Sequence, residues 1–200
     1  MVDKEYWERT YEKKELSRIP WHSDDPPIRL KELIEKGDVK VGKALDLCSG
    51  AGTNSIFLAK KGFDVIGIDI SEEAVKIAKE RAKEDNVAEK CQFLSANVLE
   101  KEFPPTTFNF IIDRGCYHHM PQEEKPFLAQ KVEESLKPMG MYLLYCFSDQ
   151  NRGWEKGVPK SEIYDNFGNL LEIREIKEVV WEEPPGNIVY MYAVVMVKKG

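Results

Sequence analysis

The spacing of apolar residues changes repeatedly along the chain between two periods. Apolar residues three or four positions apart are typical of one face of a helix, and short apolar runs bounded by turn residues are typical of strands. The predicted helices cover residues 3–14, 27–37, 53–61, 71–86 and 123–138. The predicted strands cover residues 43–47, 63–69, 91–97, 108–113 and 139–147. This alternation predicts an α/β fold, a Rossmann-like, doubly wound and mostly parallel sheet.

The last third of the chain breaks that alternation. Residues 169–181 and 188–199 have the apolar content of two long strands, and a Pro-Pro-Gly-Asn turn lies between them. A tight connection of this kind favours an antiparallel pair. We therefore expect seven strands in a single domain over residues 1–200, with an N-terminal helical cap over 1–40 and the core over 41–200.

Composition and charge narrow the class of protein. The 200 residues are 42% hydrophobic and 32% charged, which is typical of a globular domain. The net charge of −6 disfavours nucleic acid as a partner. The longest apolar run, residues 141–147, is too short to span a bilayer, and the first ten residues lack the apolar core of a signal peptide. We expect a cytoplasmic protein without a membrane partner, with its four cysteines reduced because they form no C-x-x-C motif.

The loop that follows the first strand has the chemistry of a nucleoside site. It reads Cys-Ser-Gly-Ala-Gly over residues 48–52, and Asp69 ends the second strand 17 residues after Gly52. Glycine permits positive φ and close approach of a ligand, while a carboxylate at the second strand end can accept both hydroxyls of a ribose. A tight turn without a ligand is the alternative. A nicotinamide-dependent dehydrogenase is disfavoured, because Ser55 stands where its fingerprint has a third glycine.

Residues 44–71 resemble the first motif and the acidic strand end of the class I S-adenosylmethionine-dependent methyltransferases, whose loop is usually Asp-x-Gly-x-Gly-x-Gly. Asp46, Gly50 and Gly52 match, whereas Cys48 and Ser49 depart from the pattern. The resemblance extends over most of the chain and implies S-adenosyl-L-methionine as the cofactor, with Asp46 at its methionine amino group and Asp69 at its ribose. The cofactor-binding residues that it implies are Trp21, Asp46, Cys48, Ser49, Gly50, Gly52, Asn54, Asp69, Ile70, Asn97, Val98, Asp113 and Arg114.

The segment after the fourth strand points to a subgroup. It reads Asp113-Arg114-Gly115 and lacks the Asn/Asp-Pro-Pro-Tyr of many amine-modifying methyltransferases. With the aromatic N-terminus, it is similar to the thiopurine and thiol methyltransferases, which act on small molecules. That similarity implies Arg114 at the cofactor or substrate and a cover over the active site. The implied cover residues are Trp7, Tyr11, Trp21 and Tyr117. An ordinary surface cation and ordinary core aromatics are the alternatives.

The histidines of this segment are candidate bases. The sequence His-His-Met-Pro over residues 118–121 resembles the His-His-Leu-Pro of small-molecule methyltransferases, so His118 or His119 is a candidate to accept a substrate proton. The alternatives are histidines that pack or cap a helix, and a metal site with Cys48 and Cys116. We expect no metal, because the ligands lack a recurrent spacing.

The predicted reaction is direct methyl transfer from S-adenosylmethionine to a small-molecule acceptor, in the first place a thiol or similar soft nucleophile. Arg114, His118 and His119 are its candidate catalytic residues. Two alternatives stay open: methylation of an oxygen or nitrogen with His118 or His119 as base, and a protein that binds S-adenosylmethionine without catalysis. The expected assembly is a monomer or homodimer.

Overall fold

The computed structural model describes residues 4–13, 15–151, 157–183 and 186–200. Parts of two predictions, the ends of the first helix at residues 3 and 14 and the two prolines of the C-terminal turn, lie outside these residues. Within the described residues, no helix combines the length and the apolar character needed to cross a bilayer.

All seven strands join one sheet. They are β1 (Lys43–Leu47), β2 (Asp64–Asp69), β3 (Cys91–Ser95), β4 (Phe108–Arg114), β5 (Leu136–Phe147), β6 (Glu172–Glu183) and β7 (Asn187–Val197). Their order across the sheet is β3-β2-β1-β4-β5-β7-β6. The pairs from β3 to β5 are parallel, whereas β7 runs antiparallel to both β5 and β6. The predicted fold class, including the antiparallel C-terminal pair, is confirmed.

Six α-helices accompany the sheet in the part of the chain that the structure describes. They are α1 (Lys4–Lys13), α2 (Ile28–Glu35), α3 (Thr53–Lys60), α4 (Glu72–Glu84), α5 (Lys125–Ser135) and α6 (Lys160–Phe167). The first five match predicted helices, and α6 was not predicted. Helix α4 illustrates the match: the Ser71 side chain accepts a hydrogen bond from the Ala74 N–H, and the alanines and valine at helical spacing are buried as expected.

Strand order places the candidate site. Connections from β1 lead to β2 on one side, and β4 pairs with β1 on the other, so the direction of winding reverses between β1 and β4. In open α/β sheets ligands bind at the carboxyl ends of the strands at such a switch point. Leu47, Asp69 and Arg114 end the three strands that meet there.

Helix α1 is fixed beside this edge by contacts with α4. The Glu8 carboxylate accepts hydrogen bonds from the backbone N–H groups of Glu72 at 2.8 Å and Glu73 at 3.1 Å. Lys4 forms an ion pair with Glu72 at 2.8 Å. These N–H groups open α4 and have no partner within the helix, so a carboxylate there satisfies them and complements the helix dipole. The aromatic face of α1 is thereby held close to Asp69, which lies three residues before Glu72.

Candidate active site

A cavity opens at the switch point, between the ends of the parallel strands and the N-terminal segment. Its walls include the loop after β1, the end of β2, the turn after β4 and the end of β5. The predicted site residues that line it are Trp7, Tyr11, Trp21, Cys48, Ser49, Gly50, Asn54, Asp69, Ile70, Asn97, Val98, Arg114, His118 and His119. Segments far apart in the sequence therefore converge on one site.

The two glycines of the loop have different roles. Gly50 has a φ of 52°, and a Cβ built on it would lie 2.6 Å from the Tyr11 hydroxyl oxygen, so only glycine allows Tyr11 to approach the loop this closely. Gly52 has a φ of 80°, but its Cβ would meet Ala78 Cβ and the Phe93 ring at 3.0 Å. Gly52 does not line the cavity. The small size of Gly52 allows α4 and β3 to pack against the loop, and its contact with a cofactor stays a prediction.

Asp69 holds the loop with one oxygen and the start of α4 with the other. Its Oδ2 accepts from the Gly50 N–H at 2.8 Å, and its Oδ1 accepts from the Ser71 N–H at 3.0 Å. Burial raises the pKa of this carboxyl, and the hydrogen bonds from Ser71 and Gly50 lower it. A carboxylate oxygen has more than one lone pair, so Asp69 can still accept from the hydroxyls of a ribose at the cavity wall.

Three buried oxygen atoms beneath and within the loop have no hydrogen-bond partner among the described residues. They are Asp46 Oδ1, Ser49 Oγ and Asn54 Oδ1. The other Asp46 oxygen accepts from Ser55 Oγ at 2.7 Å. An unsatisfied buried polar atom is costly, so this cluster fits a ligand that brings hydrogen-bond donors. The amino group and hydroxyls of the predicted cofactor are such donors, and burial raises the pKa of Asp46 to about 7.

The region predicted to hold adenine lies after β3. Ile70, Val98 and Leu99 supply apolar surface to the cavity. The Asn97 Oδ1 already accepts from the Leu99 N–H at 3.0 Å, and its Nδ2 donates to Glu100 at 3.1 Å. An amide oxygen can accept a second hydrogen bond, so this turn leaves Asn97 able to contact an exocyclic amine.

Three of the four predicted cover residues lie together over the cavity. The Trp21 indole Nε1 donates to the Tyr11 hydroxyl at 3.1 Å, and the Trp7 ring lies edge-on to Trp21 with centroids 5.1 Å apart. Tyr117 is different and corrects the prediction. It is fully buried, packs on Phe167, and its hydroxyl accepts from Asn166 Nδ2 at 2.7 Å. The 3-10 turn that carries it directs this ring into the core beneath the sheet.

Asp113 and Arg114 are neighbours in the chain but have different roles: Asp113 is a buried structural acid, and Arg114 is a partly buried cation in the cavity wall. Asp113 is buried and accepts from the Cys116 N–H at 2.8 Å and the Tyr142 hydroxyl at 3.3 Å, so it holds the turn and does not line the cavity. Its predicted contact with the cofactor is therefore not supported by its position. Arg114 lines the cavity with its guanidinium 4.3 Å from the centroid of the Trp181 ring. Among the residues that the structure describes, its side chain has neither an ion pair nor a hydrogen bond.

The two histidines have different environments. The Phe147 N–H donates to His118 Nδ1 at 3.2 Å, and the His118 ring stacks on Phe147 with centroids 3.7 Å apart. A neutral His118 that accepts through Nδ1 carries its proton on Nε2 and is a donor there. His119 lies at the cavity mouth, edge-on to Trp7 with centroids 5.0 Å apart. The second histidine is thus the better placed candidate base.

The cysteines correct the expectation of four reduced thiols. Cys48 and Cys116 form a disulfide with Cα atoms 5.5 Å apart, while Cys91 and Cys146 are free. The loops after β1 and β4 are brought together because these strands are parallel neighbours. No group of three potential metal-ligating residues is found in the described part of the chain.

Several cavity residues were missed by the sequence analysis. They are His22, Phe147, Trp181 and Met191. Phe147 is the last residue of β5, so the rule that sites lie at carboxyl strand ends would have found it. The other three reach the cavity from the N-terminal segment and the C-terminal hairpin, and no local sequence signal marks them.

Comparisons with known proteins agree with this geometry. Residues 44–140 match the family described as a methyltransferase domain. The chain is 35% identical over 141 residues to a phosphoethanolamine N-methyltransferase of Plasmodium falciparum, covering 69% of this chain and 51% of that protein. It is 28% identical to an Arabidopsis thaliana protein named probable thiol methyltransferase 2, covering 78% and 66%.

One solved structure gives the same fold with a ligand bound. It is the 1,6-didemethyltoxoflavin-N1-methyltransferase of Burkholderia thailandensis with 1,6-didemethyltoxoflavin and S-adenosylhomocysteine, at a TM-score of 0.71 and 16% identity, covering 96% of this chain and 82% of that one. The matches span between 13% and 66% of the length of these curated relatives.

Proposed function

We propose that this chain is a class I S-adenosylmethionine-dependent methyltransferase and that it methylates a small-molecule acceptor, in the first place a thiol or a similar soft nucleophile. The observation that carries the proposal is that the glycine loop, Asp69, Arg114 and the aromatic cover all line one and the same cavity. Cofactor and acceptor sites are then adjacent.

The cofactor side is supported by the unsatisfied polar atoms of the loop. Asp46 would hold the amino group of S-adenosylmethionine, the backbone of residues 49–52 would surround its methionine part, and Asp69 would hold its ribose. When bound, the cofactor supplies a methyl group on an already activated sulfonium. The protein then has mainly to align the nucleophile and to exclude water, which requires few acid or base residues.

The acceptor part of the proposal is supported by the aromatic residues that cover the cavity and by the charge of Arg114 in its wall. Trp7, Tyr11 and Trp21 close the mouth with apolar surface, which suits a small substrate. Arg114 adds one guanidinium that lies over the Trp181 ring and has no ion pair among the described residues, so an acceptor that carries an anionic group would find its complement there. A thiol ionises near neutral pH without a strong base, and one relative is named a probable thiol methyltransferase.

Methylation of an amine or a hydroxyl is the second candidate. His119 at the cavity mouth supports it as a base, and the phosphoethanolamine N-methyltransferase among the relatives supports a nitrogen acceptor. An amine or a hydroxyl must lose its proton to a base, whereas a thiolate has no proton to lose. The two candidates therefore differ in their dependence on His119.

Formation of S-adenosylhomocysteine with matched acceptors tests the proposal. The panel pairs 3-mercaptopropionate with its neutral amide, and phosphoethanolamine with ethanolamine. We expect turnover with the thiols, a lower KM for the anionic member, and loss of that preference in Arg114→Gln. His119→Ala would leave thiol turnover within about threefold, since a thiol forms its thiolate without help from a strong base.

Three results would contradict the proposal in different ways. Turnover confined to the amines and abolished in His119→Ala would favour the second candidate. Tight cofactor binding with no turnover on any acceptor would favour a non-catalytic binding protein. An unchanged preference for the anionic acceptors in Arg114→Gln would remove Arg114 from the acceptor site.

A further inference from the structure

The Cys48–Cys116 disulfide joins the two loops that form the floor of the cavity. Cys48 follows β1 and Cys116 follows β4, 68 residues later in the chain, and both side chains line the cavity. The register contributes to the meeting: Leu47 pairs with Asp113, so the two strands end close together, and the turn after β4 brings Cys116 to Cys48. The bond thus ties the cofactor loop to the turn that carries Arg114.

The position of Cys48 is one that the local backbone does not favour for cysteine. Its φ is 53°, in the left-handed region that glycine adopts freely and other residues adopt at a cost. Only one residue separates Cys48 from Gly50, whose N–H is bonded to Asp69. A side chain that breaks a local rule at a site is a sign that it serves a function there.

Cys116 is held equally firmly on the other side. Its N–H donates to Asp113 Oδ1 at 2.8 Å, and its carbonyl accepts from the His119 N–H at 3.0 Å. Arg114 lies two residues earlier. Movement of Cys116 would therefore shift both the Arg114 guanidinium and His119.

The other two cysteines have no part in this chemistry. Burial raises the pKa of the Cys91 thiol to about 11, and burial raises that of the Cys146 thiol well above its ordinary value. Neither lines the cavity. Thiolates are the reactive form, so thiol exchange in this part of the protein is confined to the Cys48–Cys116 pair.

We propose that Cys48 and Cys116 form a redox-modified site that sets the affinity for the cofactor, with a small or protein-borne dithiol as the reactant. One thiolate of the dithiol attacks Cys48 Sγ, the more exposed sulfur, and breaks the Cys48–Cys116 bond. The second thiol of the reactant then displaces Cys48. Two electrons and two protons pass to the cysteines, which become thiols, and the dithiol becomes its own disulfide.

The direction of the effect follows from what the bond constrains. In the oxidised form the loop and the turn are held at one separation, with Gly50 on Asp69 and the polar atoms of the loop left for the cofactor. Reduction frees both segments, so cofactor binding must order them and its affinity falls. The cytoplasmic location expected from the sequence is a reducing one, where disulfides in most organisms are transient and serve catalysis or redox sensing.

Binding of S-adenosylhomocysteine to the full chain tests this inference, which rests on the proposed function. Calorimetry is performed on protein oxidised with oxidised dithiothreitol and on protein reduced with dithiothreitol, and peptide mapping after differential alkylation reports the state of each cysteine. We expect the reduced wild type to bind at least threefold more weakly, the Cys48→Ser/Cys116→Ser variant to be insensitive to the reductant, and Cys91→Ser to behave as wild type.

The outcomes separate the two proposals. Failure to find the Cys48–Cys116 peptide in oxidised protein, or equal affinity in the two mapped states, would overturn the redox site. If Cys91→Ser abolished the effect of the reductant on affinity, that effect would belong to Cys91, and the proposed redox site would also be overturned. Absence of S-adenosylhomocysteine binding in both states, with the peptide present, would instead count against the cofactor site itself and leave the redox site without its consequence.

Discussion

We expect Asp46 to make the affinity for the cofactor depend on pH. Burial raises the pKa of its carboxyl to about 7 in the free protein, and one of its oxygens has no partner among the described residues. An ammonium group placed against that oxygen favours the ionised form, so binding is full above pH 7 and weakens as the carboxyl gains a proton below it. With a pKa of about 7 and complete ionisation on binding, the affinity should fall about eightfold from pH 7.5 to pH 6.0, or about 1.2 kcal/mol.

Calorimetric titration across this range measures the effect, and a matched ligand isolates its cause. S-adenosylhomocysteine carries the amino group, whereas 5′-methylthioadenosine has the same nucleoside without it and should bind with little pH dependence. Asp46→Asn should lose about 1.5–3 kcal/mol of binding at pH 7.5, the range for a hydrogen bond to a charged group, and should flatten the pH profile. Equal pH profiles for the two ligands, or a slope that survives in Asp46→Asn, would refute the assignment of Asp46 to the amino group.

The remaining predictions concern the supports of the site. Gly52→Ala should cost about 1–3 kcal/mol more in urea unfolding than Gly37→Ala, because both have positive φ but only Gly52 is crowded by neighbouring side chains; equal losses would refute the packing argument. Glu8→Ala should lower stability by about 1 kcal/mol through the lost cap of α4, with exposed Glu12→Ala as its near-neutral control in the same unfolding assay. Asp69→Asn should weaken binding of both S-adenosylhomocysteine and 5′-methylthioadenosine in calorimetry, since they share the ribose; a loss confined to the former would place Asp69 elsewhere.

Most of the fold could be predicted because its signals are local and repeated. The apolar residues follow clear helix and strand periods along most of the chain, and two long apolar runs predict the C-terminal hairpin. Helix α6 escaped because its eight residues contain a single buried i, i+4 pair, Ile163 and Phe167, which is too short a pattern to establish a period.

Site residues at the ends of strands could be predicted from the sequence. Residues whose place depends on the direction of the side chain could not. Asp69 and Arg114 end their strands, and the sheet brings them to one edge whatever their surroundings. Tyr117 follows the same edge but turns into the core, and Trp181 reaches the cavity from near the C-terminal end of β6. The Cys48–Cys116 bond needs both the strand order and the pairing register, which single-sequence spacing does not contain.

Strand order also gives the cavity an electrical polarity. The sequence β2-β1-β4 across the sheet places the carboxyl groups of Asp69 and Asp46 on one side and the guanidinium of Arg114 on the other. A cationic cofactor is attracted to the first side and an anionic acceptor to the second, so the field favours bringing nucleophile and methyl group together between them. The same polarity disfavours a cationic acceptor at Arg114. Selection for acceptor charge would therefore arise from the order of the strands, and exchange of Arg114 alone should be enough to relax it.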